Sequence, residues 1–180
     1  MLQSGIPFNT SFLTMRHNMK PRSWQAATRE VDKISKRSTT PVDRAIRDVV
    51  IGLRAFGLPT ESSCIGHPGD WGAPYPWIQF FILPGGKRYA LIRKKALYCQ
   101  EVLQELLDRF YQQHRPRHFE DRLSIHFFKN NEWGCFHLQS FGAQFLENCS
   151  PSVQARTAAH LRSEMKSFGR FLKRQIIALH

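Results

Sequence analysis

Acidic side chains are in short supply in this 180-residue chain: 14 Asp and Glu stand against 26 Lys and Arg, a formal net charge of +12. An imbalance of that size leaves uncompensated cations on the surface and favours polyanionic partners, because each phosphate neutralised releases condensed counterions. Cysteine is sparse as well. Four thiols cannot build a disulfide scaffold, and no positive start followed by an apolar stretch marks the chain for export. Reduced thiols and a cytoplasmic location are therefore expected. No window reaches the roughly eighteen apolar residues that a membrane-spanning helix needs. Also missing are a Walker A loop, a dinucleotide fingerprint, His-Glu-x-x-His and Gly-x-Ser-x-Gly, which removes the common nucleotide-binding, zincin and hydrolase readings. Apolar residues nevertheless make up 42% of the chain, enough to bury one core.

The basic charge recurs in three places. The first 29 residues hold no Asp or Glu but contain Arg16, Lys20, Arg22 and Arg29. Residues 1–37 read as a basic N-terminal arm, partly helical or disordered, and 38–180 as a single domain. An organellar transit peptide is the other reading of such a start. Lys87, Arg88, Arg93, Lys94 and Lys95 form the second cluster, following Gly85-Gly86. Arg156, Arg162, Lys166, Arg170, Lys173 and Arg174 form the third, opposed only by Glu164. Arg162, Lys166 and Arg170 fall at four-residue steps and Lys173 three later, one stripe of a helix. That stripe suits the phosphates of DNA or RNA, and it is equally the solvated side of an amphipathic helix.

Apolar periodicity lays out the elements. A thin-faced polar helix is expected from Trp24 to about Lys36. Ser38-Thr39-Thr40-Pro41 reads as a helix start, with Val42, Ile46, Val49, Leu53 and Phe56 on one face and Gly57 as the stop. Residues 60–65 read as a short strand, and 76–83, almost wholly apolar, as a buried one. Tyr89 to Gln113 repeats apolar residues at helical steps, and Ser150-Pro151 opens a last helix to about Leu179. Between them, Leu123–Lys129 and Gly134–Ser140 alternate like the arms of a hairpin. The fold expected is α+β: a small, mainly antiparallel sheet of about four strands packed by three main helices, with an irregular N-terminal arm.

The hairpin has a chemical consequence. Either a two- or a four-residue turn puts His126 opposite His137 and Phe128 opposite Cys135. Leu123, Ile125, Phe127, Phe136 and Leu138 then face the core, while Ser124, His126, Phe128, Cys135, His137 and Gln139 share the other, wetter face. Tyr75, Trp71 and Trp133 would stack on bases if exposed around that face and are core if buried.

The stretch Thr60-Glu61-Ser62-Ser63-Cys64-Ile65-Gly66-His67, with Pro76-Trp77 downstream, resembles uncharacterised bacterial and phage proteins carrying T-x-x-S-C-x-G-H, a likeness that implies no established activity. Their fuller form is S-C-E-G-H, and Ile65 here takes the place of the glutamate. A fainter likeness links it to the S-S-C-S-G-R stretch of the wybutosine-synthesis methyltransferases, which act on transfer RNA. Three chemistries fit Cys64 and His67: a zinc site completed by Cys135 and His137, or by His126; a Cys64 nucleophile with His67 or His137 as base; or a structural turn. The leading expectation is a nucleic-acid-binding protein that meets phosphates with Lys87, Arg88, Arg93, Lys94, Arg162, Lys166, Arg170 and Lys173. A Cys/His enzyme or zinc protein is the alternative, and a protein-interaction module the third.

Overall fold

The computed structural model describes residues 21–38, 41–67, 73–84, 89–129 and 133–180, with 81–84, 89–94, 129 and 133–134 described by their backbone alone. Residues 1–20, Lys87, Arg88 and Trp71 lie outside the described residues. Among the described residues the architecture is α+β, with four helices and a four-stranded antiparallel sheet. In chain order these are α1 (Trp24–Arg37), α2 (Arg47–Ala55), β1 (Thr60–Cys64), β2 (Trp77–Pro84), α3 (Tyr89–Gln113), β3 (Leu123–Lys129), β4 (Trp133–Ser140) and α4 (Pro151–Ala178). A 3-10 turn at Phe119–Asp121 precedes β3, and another at Ala143–Asn148 precedes α4. Among the described residues, no helix is long and apolar enough to cross a membrane.

Helix α1 falls within the stretch expected to form an arm. Ser23 caps it by accepting from the Ala26 amide at 3.3 Å, and its thin apolar face puts Ala27 and Val31 into the main core. Ion pairs of Glu30 with Arg54 and of Asp32 with Arg47 tie it to α2, and Glu30 also pairs with Arg22 just ahead of α1. Burial works against the Glu30 carboxylate, yet the two guanidiniums together hold its pKa below the ordinary range.

Helix α2 begins at Arg47, not at Pro41 as the Ser-Thr-Thr-Pro pattern suggests. Its N-cap, Ile46, has no capping side chain. The nearby Asp43 carboxylate is engaged elsewhere, accepting from the Ile65 amide at 3.1 Å. The C-terminal end is as expected. Gly57 adopts φ 77°, and the next amide, Leu58, returns to the Leu53 carbonyl at 2.9 Å. Helices α2 and α4 approach closely because glycines lie in their contact. A methyl at Gly52 would sit 2.6 Å from the Leu172 Cβ, and one at Gly169 3.1 Å from Val49.

The strands run in the order β1-β2-β4-β3. The β3–β4 pairing has the expected register: His126 opposes His137, Phe127 opposes Phe136 and Phe128 opposes Cys135. Ile78, Phe80, Leu123 and Leu138 point from the sheet into one core shared by all four helices, where Phe110 meets Phe168 and Phe171 with ring centroids 5.3 and 5.5 Å apart. Phe127 departs from the pattern. It carries core-face parity, but on the edge strand it stays 51% exposed.

Candidate functional site

The opposite face of the sheet is built in rows. One row runs Ser62, Gln79, His137, His126 across β1, β2, β4 and β3; the next runs Cys64, Trp77, Gln139, Ser124. This face is drier than alternation alone suggests. Cys135 and Gln139 are each 1% exposed, and a second small core of Tyr75, Ala143, Leu146 and Leu161 packs against Trp77. Tyr75 belongs to that core. Its hydroxyl donates to Glu147 at 3.0 Å, and burial together with that carboxylate pushes its pKa up to about 12. The rings of Trp77 and His137 stack at 5.0 Å, and Phe128 leans on His137 at 4.5 Å. His137 Nε2 meets Gln79 Oε1 at 3.1 Å, and His126 Nε2 meets Ser124 Oγ at 2.7 Å.

Burial lowers the pKa of both imidazoles, and for His137 the neighbouring His126 adds to the effect. The sign of the linkage follows. As pH falls through the ordinary value of 6.5, the unfolded chain takes up these protons before the folded chain does. Stability is therefore intact at pH 7 and above, declines below about 6.5, and levels off once the folded pKa values are passed. Urea unfolding should reveal this slope, and His137→Gln should flatten part of it. Imidazole NMR titrations with midpoints above the ordinary value would contradict it.

The sheet does not gather Cys64, His67, Cys135 and His137 around one ion. Cys64 is on the edge strand β1 and the other pair on β4, with β2 between them. Two strand spacings amount to about 10 Å, whereas ligands about 2.0–2.3 Å from zinc must nearly touch one another. Asp43 takes the place of that distant pair. One donor atom each from Asp43, Cys64 and His67 lie within 4.8 Å of one another.

The turn that carries Cys64 is pinned at three amides and two carbonyls. Gly66 has φ 83°. Its amide donates to Cys64 Sγ at 3.3 Å, the Ile65 amide to Asp43, and the His67 amide to the Ala73 carbonyl at 3.1 Å. Arg162 reaches over from α4, donating from Nε to the Ile65 carbonyl at 3.1 Å and from Nη2 to that of Gly66 at 2.5 Å. This half-buried guanidinium thus holds the turn and stands apart from the exposed stripe it was grouped with. Neither Asp43 nor the clamp by Arg162 carries a local motif, since 22 and 97 positions separate them from Ile65.

A second cluster was also invisible in sequence. Donor atoms of His118, Asp121 and His160 lie within 4.8 Å of one another, and the two imidazoles stack with centroids 6.0 Å apart. Of the remaining expected site residues, Lys166, Arg170 and Lys173 are exposed on α4. Lys173 Nζ stands 5.2 Å from the Trp24 ring centroid, and Arg170 donates to Ser167 Oγ at 3.0 Å. Arg93 and Lys94 are placed by their backbone in the second turn of α3. Comparison with known proteins returns no match to a family model, to a curated protein or to a solved structure.

Proposed function

We propose that the protein binds nucleic acid through its backbone phosphates, with the exposed face of α4 as the principal contact. The observation that carries this reading is how the charge is partitioned. Arg22 and Arg54 share Glu30, while Arg47 and Arg109 pair with Asp32 and Glu105. Lys166, Arg170, Lys173 and Arg174 are exposed and, among the described residues, pair with no carboxylate. The one carboxylate of α4, Glu164, is 6% exposed and bonded to Tyr111 and His114. A rigid rod of unpaired cations, with its own acid turned inward, is a phosphate-binding surface that reads charge spacing and not base identity.

Fluorescence anisotropy with labelled single- and double-stranded oligonucleotides tests the proposal. Four phosphate contacts predict an affinity loss on the order of a hundredfold between about 50 and 200 mM salt. The double variant Lys166→Glu with Arg170→Glu should weaken binding by at least about tenfold for every sequence tried and make the salt slope shallower by about two contacts. No binding at low salt, or an unchanged slope in the variant, overturns it.

A further inference from the structure

Separately from the α4 surface, we propose that Asp43, Cys64 and His67 bind one zinc ion and, among the described residues, leave a fourth coordination position open. The three donors come from the segment before α2, the end of β1 and the loop beyond it, and their donor atoms lie within 4.8 Å of one another. That arrangement is a triangle. In a nucleophile relay the imidazole stands between the other two groups, so sulfur and carboxylate are separated by a ring and two hydrogen bonds. Mutual proximity of all three is what one face of a coordination tetrahedron requires.

The donor types point the same way. Thiolate with imidazole selects a borderline-soft ion over magnesium or calcium, and three protein ligands with a free position form the open kind of zinc site. Backbone amides orient two of the ligands: that of Gly66 donates to Cys64 Sγ at 3.3 Å and that of Ile65 to Asp43 Oδ2 at 3.1 Å. Among the described residues, the other Asp43 oxygen has no partner. Arg162 fixes the Ile65 and Gly66 carbonyls and so positions the turn without touching the donors. Cys64 and Asp43 are half-buried and His67 is exposed, which gives an ion a way in.

The test uses the full chain, stripped of metal and titrated with cobalt(II) alone and then with zinc. One equivalent per chain is expected, with a thiolate-to-cobalt charge-transfer band that zinc abolishes and Cys64→Ser never develops. His67→Gln and Asp43→Asn should each lower zinc affinity by about 100-fold or more, and Arg162→Ala by the roughly 10–100-fold typical of an outer-shell partner. In the unmodified chain, zinc should protect Cys64 from maleimide while leaving the half-exposed Cys149 as reactive as before. That readout needs no variant to fold. Equal Cys64 labelling with and without zinc, or a cobalt band that survives Cys64→Ser, overturns the proposal. Zinc bound with no thiolate band and retained by Cys64→Ser would also overturn it, placing the ion at His118, Asp121 and His160 instead.

Discussion

Glu164→Ala should lower the unfolding free energy by about 2–4 kcal/mol, because it strips the acceptor from two donors that each cost roughly 1–3 kcal/mol when left unsatisfied, one of them partly open to water. Glu164 is 6% exposed in the middle of α4, yet it accepts from the Tyr111 hydroxyl at 2.9 Å and bonds His114 Nε2 at 2.8 Å. The Tyr111 oxygen in turn accepts from the Leu123 amide at 2.6 Å. One chain of hydrogen bonds therefore joins the first residue of β3, the last turn of α3 and the centre of α4. Burial drives the Tyr111 phenol well above its ordinary pKa, so it remains a donor throughout the pH range of interest. Alanine leaves that donor and His114 without an acceptor. Glu164→Gln keeps an acceptor oxygen and should recover most of the loss. Tyr111→Phe, which orphans the Leu123 amide, should cost about 1–3 kcal/mol. Urea unfolding monitored by circular dichroism measures all three. A loss below about 1 kcal/mol for the alanine variant would mean that water replaces the carboxylate and that the chain of bonds contributes little.

Local patterns in the sequence account for most of the fold, because the elements that could be read there are governed by local periodicity. The alternation from Leu123 to Ser140 leaves one register in which both apolar sets share a face, and the pairing of His126 with His137 follows. Helices α3 and α4 announce themselves through long three- and four-residue apolar steps. The helix expected to open at Pro41 behind a Ser or Thr hydroxyl starts only at Arg47, where Ile46 offers no capping side chain; Thr39 and Thr40 lie outside the described residues. The other failures come where a distant group intervenes. The outer face of the sheet was expected to be wet, but Leu146 and Leu161, which carry no strand signal, close over Trp77. Arg162 sits in register with Lys166 and Arg170, and only the fold distinguishes a clamp on two carbonyls from cations facing solvent. The closeness of Cys64 and His67 follows from their three-residue spacing. That of Asp43 does not, since no spacing rule connects it to a turn 22 positions away.

Gly66→Ala should cost about 2–5 kcal/mol, and its effect should begin at this turn. Two penalties combine. At φ 83° an alanine takes the left-handed conformation, which costs roughly 1–2 kcal/mol. Its methyl would also stand 2.5 Å from the Tyr75 carbonyl carbon and 2.7 Å from that residue's Cα and N. These are backbone atoms at the edge of the small core formed with Ala143, Leu146 and Leu161, so they cannot swing aside as a side chain would. Overpacking of this kind adds about 1–3 kcal/mol. The turn can relieve the clash only by moving off Tyr75, and that motion stretches both bonds from Arg162 and the contact between the Gly66 amide and Cys64 Sγ. Cys64 should then react faster with maleimide than in the parent, at denaturant concentrations where the β3–β4 hairpin and the His126 and His137 NMR signals are unchanged. Arg162→Lys separates the causes. It preserves charge but not the two-pronged reach to adjacent carbonyls, so it should speed Cys64 labelling with a smaller loss of stability. A Gly66→Ala protein within about 1 kcal/mol of the parent, with Cys64 no more reactive, would show that the turn accommodates a side chain. The three donors would then be held by something other than the backbone of residues 64–67.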